Sequence, residues 1–336
     1  MFKVIRIGGK LATAHAEVER AKLAAAGASF EEHLFVNDDE TIKIARDADA
    51  IINASGGFPA RVINELDKCK LIVQSAVGYD RIDVPAATEK GIPVANLFDY
   101  CIEEVADHAM TLVLACARRL MFMERVVRDG KWAYGSRDMF DRIGPVQRLS
   151  EQTFGIVGFG NIGRLVAKRA SGFGWRRIAY DPFVDPAVAR ELGVELVPLE
   201  ELLARADYVT LHVFLNDQTR HLINAERLKL MKPSAYLINT CRGPIVDETA
   251  LIAALQAGTI AGAGLDVFEK EPLAGDSPLL EMDNVILTPH VAVYSERALE
   301  LNLTLPFDEV VRVLSGKFPR GLINKTLRGR LPLTDG

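Results

Sequence analysis

An α/β protein of two parallel-sheet domains is the fold class this sequence predicts, and three observations predict it. At 336 residues the chain exceeds what one hydrophobic core usually organises, and a divisor of about 150 residues gives roughly two domains. Short apolar runs alternate with helical patterns along most of its length, as βαβ units require. A glycine-rich turn then joins strand to helix in mid-chain, where a second series starts. Hydrophobic residues at 49% and charged residues at 25% allow a sizeable core and exclude a disordered or fibrous chain.

In chain order, strands are expected at residues 4–7, 50–53, 71–74 and 93–96, with helices such as 15–25 and 61–68 between them. Residues 102–128 read as one long helix, acidic at its start (Glu103, Glu104) and basic towards its end (Arg118, Arg119, Arg128), an order that suits the helix dipole. The second series begins at Thr153, with strands near 177–180, 208–212, 235–239, 263–267 and 285–287. A last helix is expected over 296–314, before a tail rich in Pro, Gly, Lys and Arg.

Composition narrows the function. A net charge of −5 offers no basic face for nucleic acid, so none is expected as a ligand. The cysteines Cys69, Cys101, Cys116 and Cys241 lack metal-ligand spacing, so no metal site is expected, and nothing marks the chain as secreted. The apolar stretch before Arg118 is far shorter than the about 20 residues that span a bilayer. A cytoplasmic protein with no membrane partner is the expectation.

The segment TFGIVGFGNIGR places a strand before Gly158, Gly160 and Gly163 and a helix after them. Gly158 permits the tight turn, Gly160 lets backbone approach a pyrophosphate, and Gly163 lets helix pack close to strand. The helix start, at Asn161 and Ile162 after Phe159, offers N–H groups to the anion. Asp181 ends the next strand at roughly the 20-residue distance where a carboxylate accepts from the adenosine ribose. NAD is therefore the expected cofactor. A 2′-phosphate would meet Asp181 with no Arg directly after it, and two unit charges 4 Å apart repel by about 4 kcal/mol at an effective dielectric of 20. NAD is expected over NADP.

Three later segments each close a predicted strand, where open α/β sheets gather ligands. NTCRG carries Arg242, able to hold a carboxylate bidentately; GLDVFEKEP carries Asp266 and Glu271; TPH carries His290. Each alone has an ordinary reading as a surface or loop residue. Together they supply an anion clamp and a His–carboxylate acid/base pair. His108, His212 and His221 compete as acids but have no evident carboxylate partner, and are read as structural.

GFGNIG, Asp181, NTCRG, GLDVFEKEP and TPH, in this order and spacing, resemble the D-2-hydroxyacid dehydrogenase family over most of the chain. SAVGYDRID and EEVADHAMTLVLACARR are similar to its substrate-side loop and to the helix that opens its cofactor domain. LHVFLNDQTRHLIN and TPHVAVYSE are similar to the branch of the C-terminal-binding proteins. The resemblance implies Rossmann-like and flavodoxin-like domains with an interdomain active-site cleft. Residues 102–290 would form the NAD domain, and 1–101 with 291–336 a discontinuous substrate domain.

By the same resemblance, Arg242 binds the substrate carboxylate and polarises the keto oxygen, His290 exchanges the hydroxyl proton, and Glu271 orients His290. Gln74, Val77 and Gly78 belong to the substrate side, and Val77, Val213, Thr219, Thr240, Cys241 and Asp266 line the cofactor. A homodimer is implied. The expected reaction is NAD-dependent interconversion of a small 2-keto acid and its 2-hydroxy acid. An NAD-sensing corepressor-like binding protein and a 3-phosphoglycerate dehydrogenase are the alternatives. Departures from the pattern at Gln74, Ala76, Val77, Phe214 and Val293 bear on the substrate tail, not on the chemistry.

Overall fold

The structure, a computed structural model, describes residues 1–9, 13–132 and 137–335. The chain divides into two compact units, Met1–Tyr100 with Ser295–Gly336, and Cys101–Tyr294.

The first unit starts as β1 (Phe2–Ile7), α1 (Thr13–Ala25), β2 (Ala28–His33), α2 (Asp38–Ala45), β3 (Ala50–Asn53), α3 (Ala60–Asn64), β4 (Ile72–Gln74), α4 (Val84–Glu89) and β5 (Val94–Asn96). Its five strands pair in parallel in the order β2-β1-β3-β4-β5. Ile5, Ile7, Ile51, Ile52, Ile72 and Val94 are fully buried, as strands covered on both faces demand.

The second unit opens with α5 (Ile102–Ala117), α6 (Leu120–Arg128) and α7 (Arg137–Ile143). Then follow β6 (Thr153–Val157), α8 (Asn161–Ser171), β7 (Arg176–Tyr180), α9 (Pro186–Glu191), β8 (Glu195–Leu196), α10 (Leu199–Arg205), β9 (Tyr208–Leu211) and α11 (Ala225–Leu228). The unit ends with β10 (Tyr236–Asn239), α12 (Glu248–Gln256), β11 (Gly262–Leu265) and β12 (Val285–Leu287). Its seven strands run parallel in the order β12-β11-β10-β9-β6-β7-β8, so the strand order reverses between β6 and β9, where doubly wound sheets bind ligands. Two buried clusters cover the sheet, one around Val209, Leu237 and Leu251, the other around Phe154, Ile156 and Ala167.

The last helix, α13 (Glu296–Leu314), belongs to the first unit. Ser295 caps it by accepting from the Ala298 N–H at 3.0 Å, and Phe307 sets its ring against Phe30 at 5.1 Å between centroids. No helix among the described residues is long and apolar enough to cross a membrane.

The structure corrects the sequence reading in three places. The expected helix over 102–128 is two helices, because Arg119 takes a left-handed conformation (φ 50°) that a right-handed helix cannot continue. Its guanidinium donates to the Ile143 carbonyl and lies over the Phe122 ring. Strands β2 and β8 were not expected; both are sheet edges, and β2 presents Glu31, Glu32 and His33 instead of an apolar run. The helix expected over 61–68 ends at Asn64.

Candidate active site

The glycine turn sits at the reversal of the second sheet. Gly158 has φ 92°, and a Cβ there would lie 2.4 Å from the His212 carbonyl and 2.9 Å from Val213 Cγ1. A Cβ on Gly163 would lie 2.1 Å from the Gly158 carbonyl, so α8 packs against β6 at a distance only glycine allows. Gly160 differs: a Cβ there would meet nothing within 4 Å, and the space beside the turn is open. Gly160 caps α8 without a side-chain bond, and the N–H groups of Asn161 and Ile162 have no partner among the described residues. These are the requirements of a pyrophosphate cradle. Phe159 turns its ring into the core and Ile162 packs against it, which leaves their backbone for the anion, while Asn161 is exposed.

Asp181 lies across this turn. Its Oδ2 accepts from the Phe159 N–H at 2.8 Å and its Oδ1 from the Phe183 N–H at 2.9 Å. The carboxylate is thereby fixed beside the GFG loop with lone pairs left for a ribose diol. Thr240, just after β10, is buried with a hydroxyl that finds no partner among the described residues, an orphan that a polar cofactor group would satisfy. Thr219 spends its hydroxyl on the Phe214 carbonyl at 2.5 Å, within its own turn. Cys241 donates to Asn239 Oδ1 at 3.0 Å, and burial pushes its thiol up to about 11.

His290, Glu271 and Arg242 all belong to the second unit. His290 Nδ1 is 2.8 Å from Glu271 Oε2, and the other carboxylate oxygen accepts the Phe268 N–H at 3.1 Å. Because a carboxylate can only accept, Nδ1 carries the proton and Nε2 is the nitrogen presented outward. His290 holds a left-handed backbone (φ 54°), a strained conformation for a residue with a Cβ; its N–H donates to the Asp266 carbonyl at 2.8 Å. Arg242 follows β10, its Nη1 2.8 Å from the Cys241 carbonyl, and Asn239 ties down the Arg242 carbonyl at 2.9 Å. Gly243 must be glycine: a Cβ would fall 1.8 Å from the Phe268 carbonyl, so the Arg242 loop and the Glu271 loop touch through backbone.

Asp266 is fully buried beneath this loop. It accepts from Thr288 Oγ1 at 2.6 Å and from the N–H groups of Val291 and Ala292 at 3.0 and 2.9 Å. Burial acts to raise its carboxyl, but these bonds and His108 hold it below the ordinary carboxylate range. It anchors the turn that carries His290, a role the sequence did not suggest.

Two of the competing histidines are corrected. His108 bonds Thr288 at 2.9 Å and lies 3.5 Å from Asp266; His221 Nε2 is 2.7 Å from Glu269 Oε1. Their partners come from other strand ends, which no local pattern reveals. Burial pushes His212 down to about 3, so it is neutral and unsuited to donate a proton. In the first unit, Gln74 accepts from Asn53 Nδ2 at 2.8 Å, the Val77 carbonyl accepts from Asn96 at 2.6 Å, and the N–H groups of Val77 and Gly78 have no partner among the described residues.

Comparison with known proteins follows the same lines. Residues 110–292 match the NAD-binding domain of D-isomer specific 2-hydroxyacid dehydrogenases. A glyoxylate reductase of Korarchaeum cryptofilum is 42% identical over 84% of this chain and 85% of its own. The crystal structure of a glyoxylate reductase from Paecilomyes thermophila superposes with a TM-score of 0.86 at 28% identity, covering 97% of this chain and 99% of that one. D-Lactate dehydrogenase from Aquifex aeolicus, complexed with NAD and lactic acid, superposes with a TM-score of 0.79 at 31% identity, over 93% and 94% of the two chains.

Proposed function

The chain belongs to the D-isomer-specific 2-hydroxyacid dehydrogenase family and is an NAD-dependent oxidoreductase; from that premise we propose that it reduces a short 2-keto acid of the glyoxylate class to the 2-hydroxy acid. The contact of His290 with Glu271, on a loop packed against that of Arg242, carries this reading. The glycine turn, Asp181 and the orphaned Thr240 hydroxyl fit NAD. When bound, the cofactor supplies the hydride equivalent for substrate C2.

The chain's own residues do the remainder. Arg242 pairs with the substrate carboxylate through charge-assisted bonds, each contributing about 1.5 to 3 kcal/mol, and draws charge from the keto oxygen. Protonated His290 gives its Nε2 proton to the developing alkoxide, a step worth typically about 10²- to 10⁴-fold. Glu271 balances the imidazolium before the transfer and holds the ring in one tautomer after it. Oxidation of the hydroxy acid needs His290 neutral. Buried Asp266 keeps the His290 turn in its strained conformation.

A homodimer formed through the NAD-binding unit belongs to the same proposal. The helices α6 and α7 expose Leu120, Met121, Val127 and Phe140, and Trp132 is exposed as well, apolar side chains that a second copy would cover. Light scattering should then give twice the 36.9 kDa chain mass. Four free cysteines suit a cytoplasmic setting. Following NADH absorbance with glyoxylate, hydroxypyruvate, pyruvate and phenylpyruvate tests the substrate class. Preference for the two smallest acids is expected, and selective turnover of phenylpyruvate would refute it.

A further inference from the structure

We infer that His221 is a positioning residue for the reaction: through Glu269 it clamps together the strand-end loops that carry Arg242 and Glu271. This rests on the dehydrogenase reading above. His221 follows β9 in a left-handed conformation (φ 50°), and its N–H donates to the Pro244 carbonyl at 2.8 Å. Two further backbone bonds, Ile223 N–H to Ile245 and Asp247 N–H to Ile223, stitch the same loop to the one after β10. The side chain reaches onward, with Nε2 2.7 Å from Glu269 Oε1 on the loop after β11.

Glu269 is tied to Glu248 as well. Its Oε2 accepts the Glu248 N–H at 3.2 Å, and its own N–H donates to Glu248 Oε2 at 3.0 Å. One residue earlier, the Phe268 carbonyl rests on Gly243, directly after Arg242, and the Phe268 N–H orients Glu271 at 3.1 Å. The imidazole therefore closes a ring of contacts running from 221 through 242–248 to 268–271. A shift of Glu269 moves the peptide that touches Gly243 and the one that aims Glu271.

Exposure decides what kind of role this is. The two side chains are 39% and 33% exposed, and a pair this wet contributes little to folding. Geometry at a reacting centre is far more sensitive: a displacement of about 1 Å can cost about 10²-fold in rate. The two effects separate. Losing the His221 side chain should reduce turnover much more than stability.

The test compares the wild-type enzyme with His221→Ala, His221→Gln and Glu269→Gln. His221→Ala is expected to lower kcat for keto-acid reduction by about 10- to 100-fold while leaving the KM for NADH and the Tm nearly unchanged. His221→Gln, whose amide can still donate to Glu269, should recover most of the loss. Hydrogen exchange at residues 266–272 should be faster in His221→Ala and near normal in His221→Gln. Wild-type kcat in His221→Ala, no recovery in His221→Gln, or unchanged exchange would each overturn the inference; Glu269→Gln must behave as an intermediate if the charge of the pair matters. If the wild type consumes no NADH with any keto acid, the dehydrogenase reading fails, and exchange alone then decides the clamp.

Discussion

His290 Nδ1 sits 2.8 Å from Glu271 Oε2, and this contact leaves Nε2 as the ring nitrogen that would exchange the proton in the proposed reaction. Replacing Glu271 by Gln keeps a hydrogen-bond acceptor but removes the charge that balances imidazolium. The variant should lose on the order of 10²-fold in kcat for reduction while NADH binding is retained. In the wild type, reduction should be favoured as pH falls and oxidation as pH rises, because the two directions need opposite protonation states of His290. Identical pH–rate profiles in the two directions would refute this assignment.

Asp181 should set the choice of cofactor. Its carboxylate is pinned by the N–H groups of Phe159 and Phe183, so it cannot swing away from a 2′-phosphate. The wild type should show a much lower KM for NADH than for NADPH, and Asp181→Ala should narrow that gap by 10-fold or more, since about 1.4 kcal/mol of relieved repulsion corresponds to that factor. An unchanged ratio would show that discrimination lies elsewhere.

The glycines of the turn separate folding from binding. Gly160→Ala places its Cβ in open space, so the Tm should hold while the Kd for NADH rises, because in the proposed cofactor site that space would receive the pyrophosphate. Gly163→Ala drives its Cβ to 2.1 Å from the Gly158 carbonyl and should cost about 1 to 3 kcal/mol of stability as well as cofactor affinity. Calorimetric Tm and fluorescence titration with NADH measure the two effects independently.

Acid should destabilise the fold in two steps. His212 is pushed down to about 3 from an ordinary 6.5, so between these values the unfolded chain takes a proton that the folded chain refuses. Stability is complete above about pH 6.5 and falls as pH drops towards 3, by at most about 1.4 kcal/mol per pH unit from this group. Asp266, held below the carboxylate range, stabilises above its ordinary value and loses that contribution only as pH falls through its depressed one. Urea unfolding of His212→Asn should therefore show a flatter stability profile between pH 6.5 and 4; an unchanged slope would sink the assignment.

Much of this architecture was legible because the apolar runs in the centres of both sheets are buried on both faces and bounded by turn residues. Gly158, Gly160 and Gly163 were readable for a related reason: strand, turn and helix are contiguous in sequence, so their context is local. The edge strands β2 and β8 were not, although the opposite edges β5 and β12 were. Residues 28–33 end in the consecutive polar residues Glu31, Glu32 and His33 at the margin of the first sheet, and a two-residue strand at 195–196 leaves almost no pattern. The break at Arg119 carries no glycine or proline to announce it. The nearness of His290 to Glu271 came from the family pattern, and spacing alone could not supply it. His221 with Glu269, and Asp266 beneath Val291 and Ala292, join different strand ends, so their pairing exists only once the sheet is assembled.

The most direct measurement is the initial rate of NADH oxidation with glyoxylate for the wild-type protein and for His290→Ala, at equal cofactor saturation. The proposed mechanism requires steady turnover by the wild type, a loss of about 10²- to 10⁴-fold in the variant, and a similar Kd for NADH in both. Equal rates in the two proteins, or saturable NADH binding with no turnover of any 2-keto acid by the wild type, would contradict it.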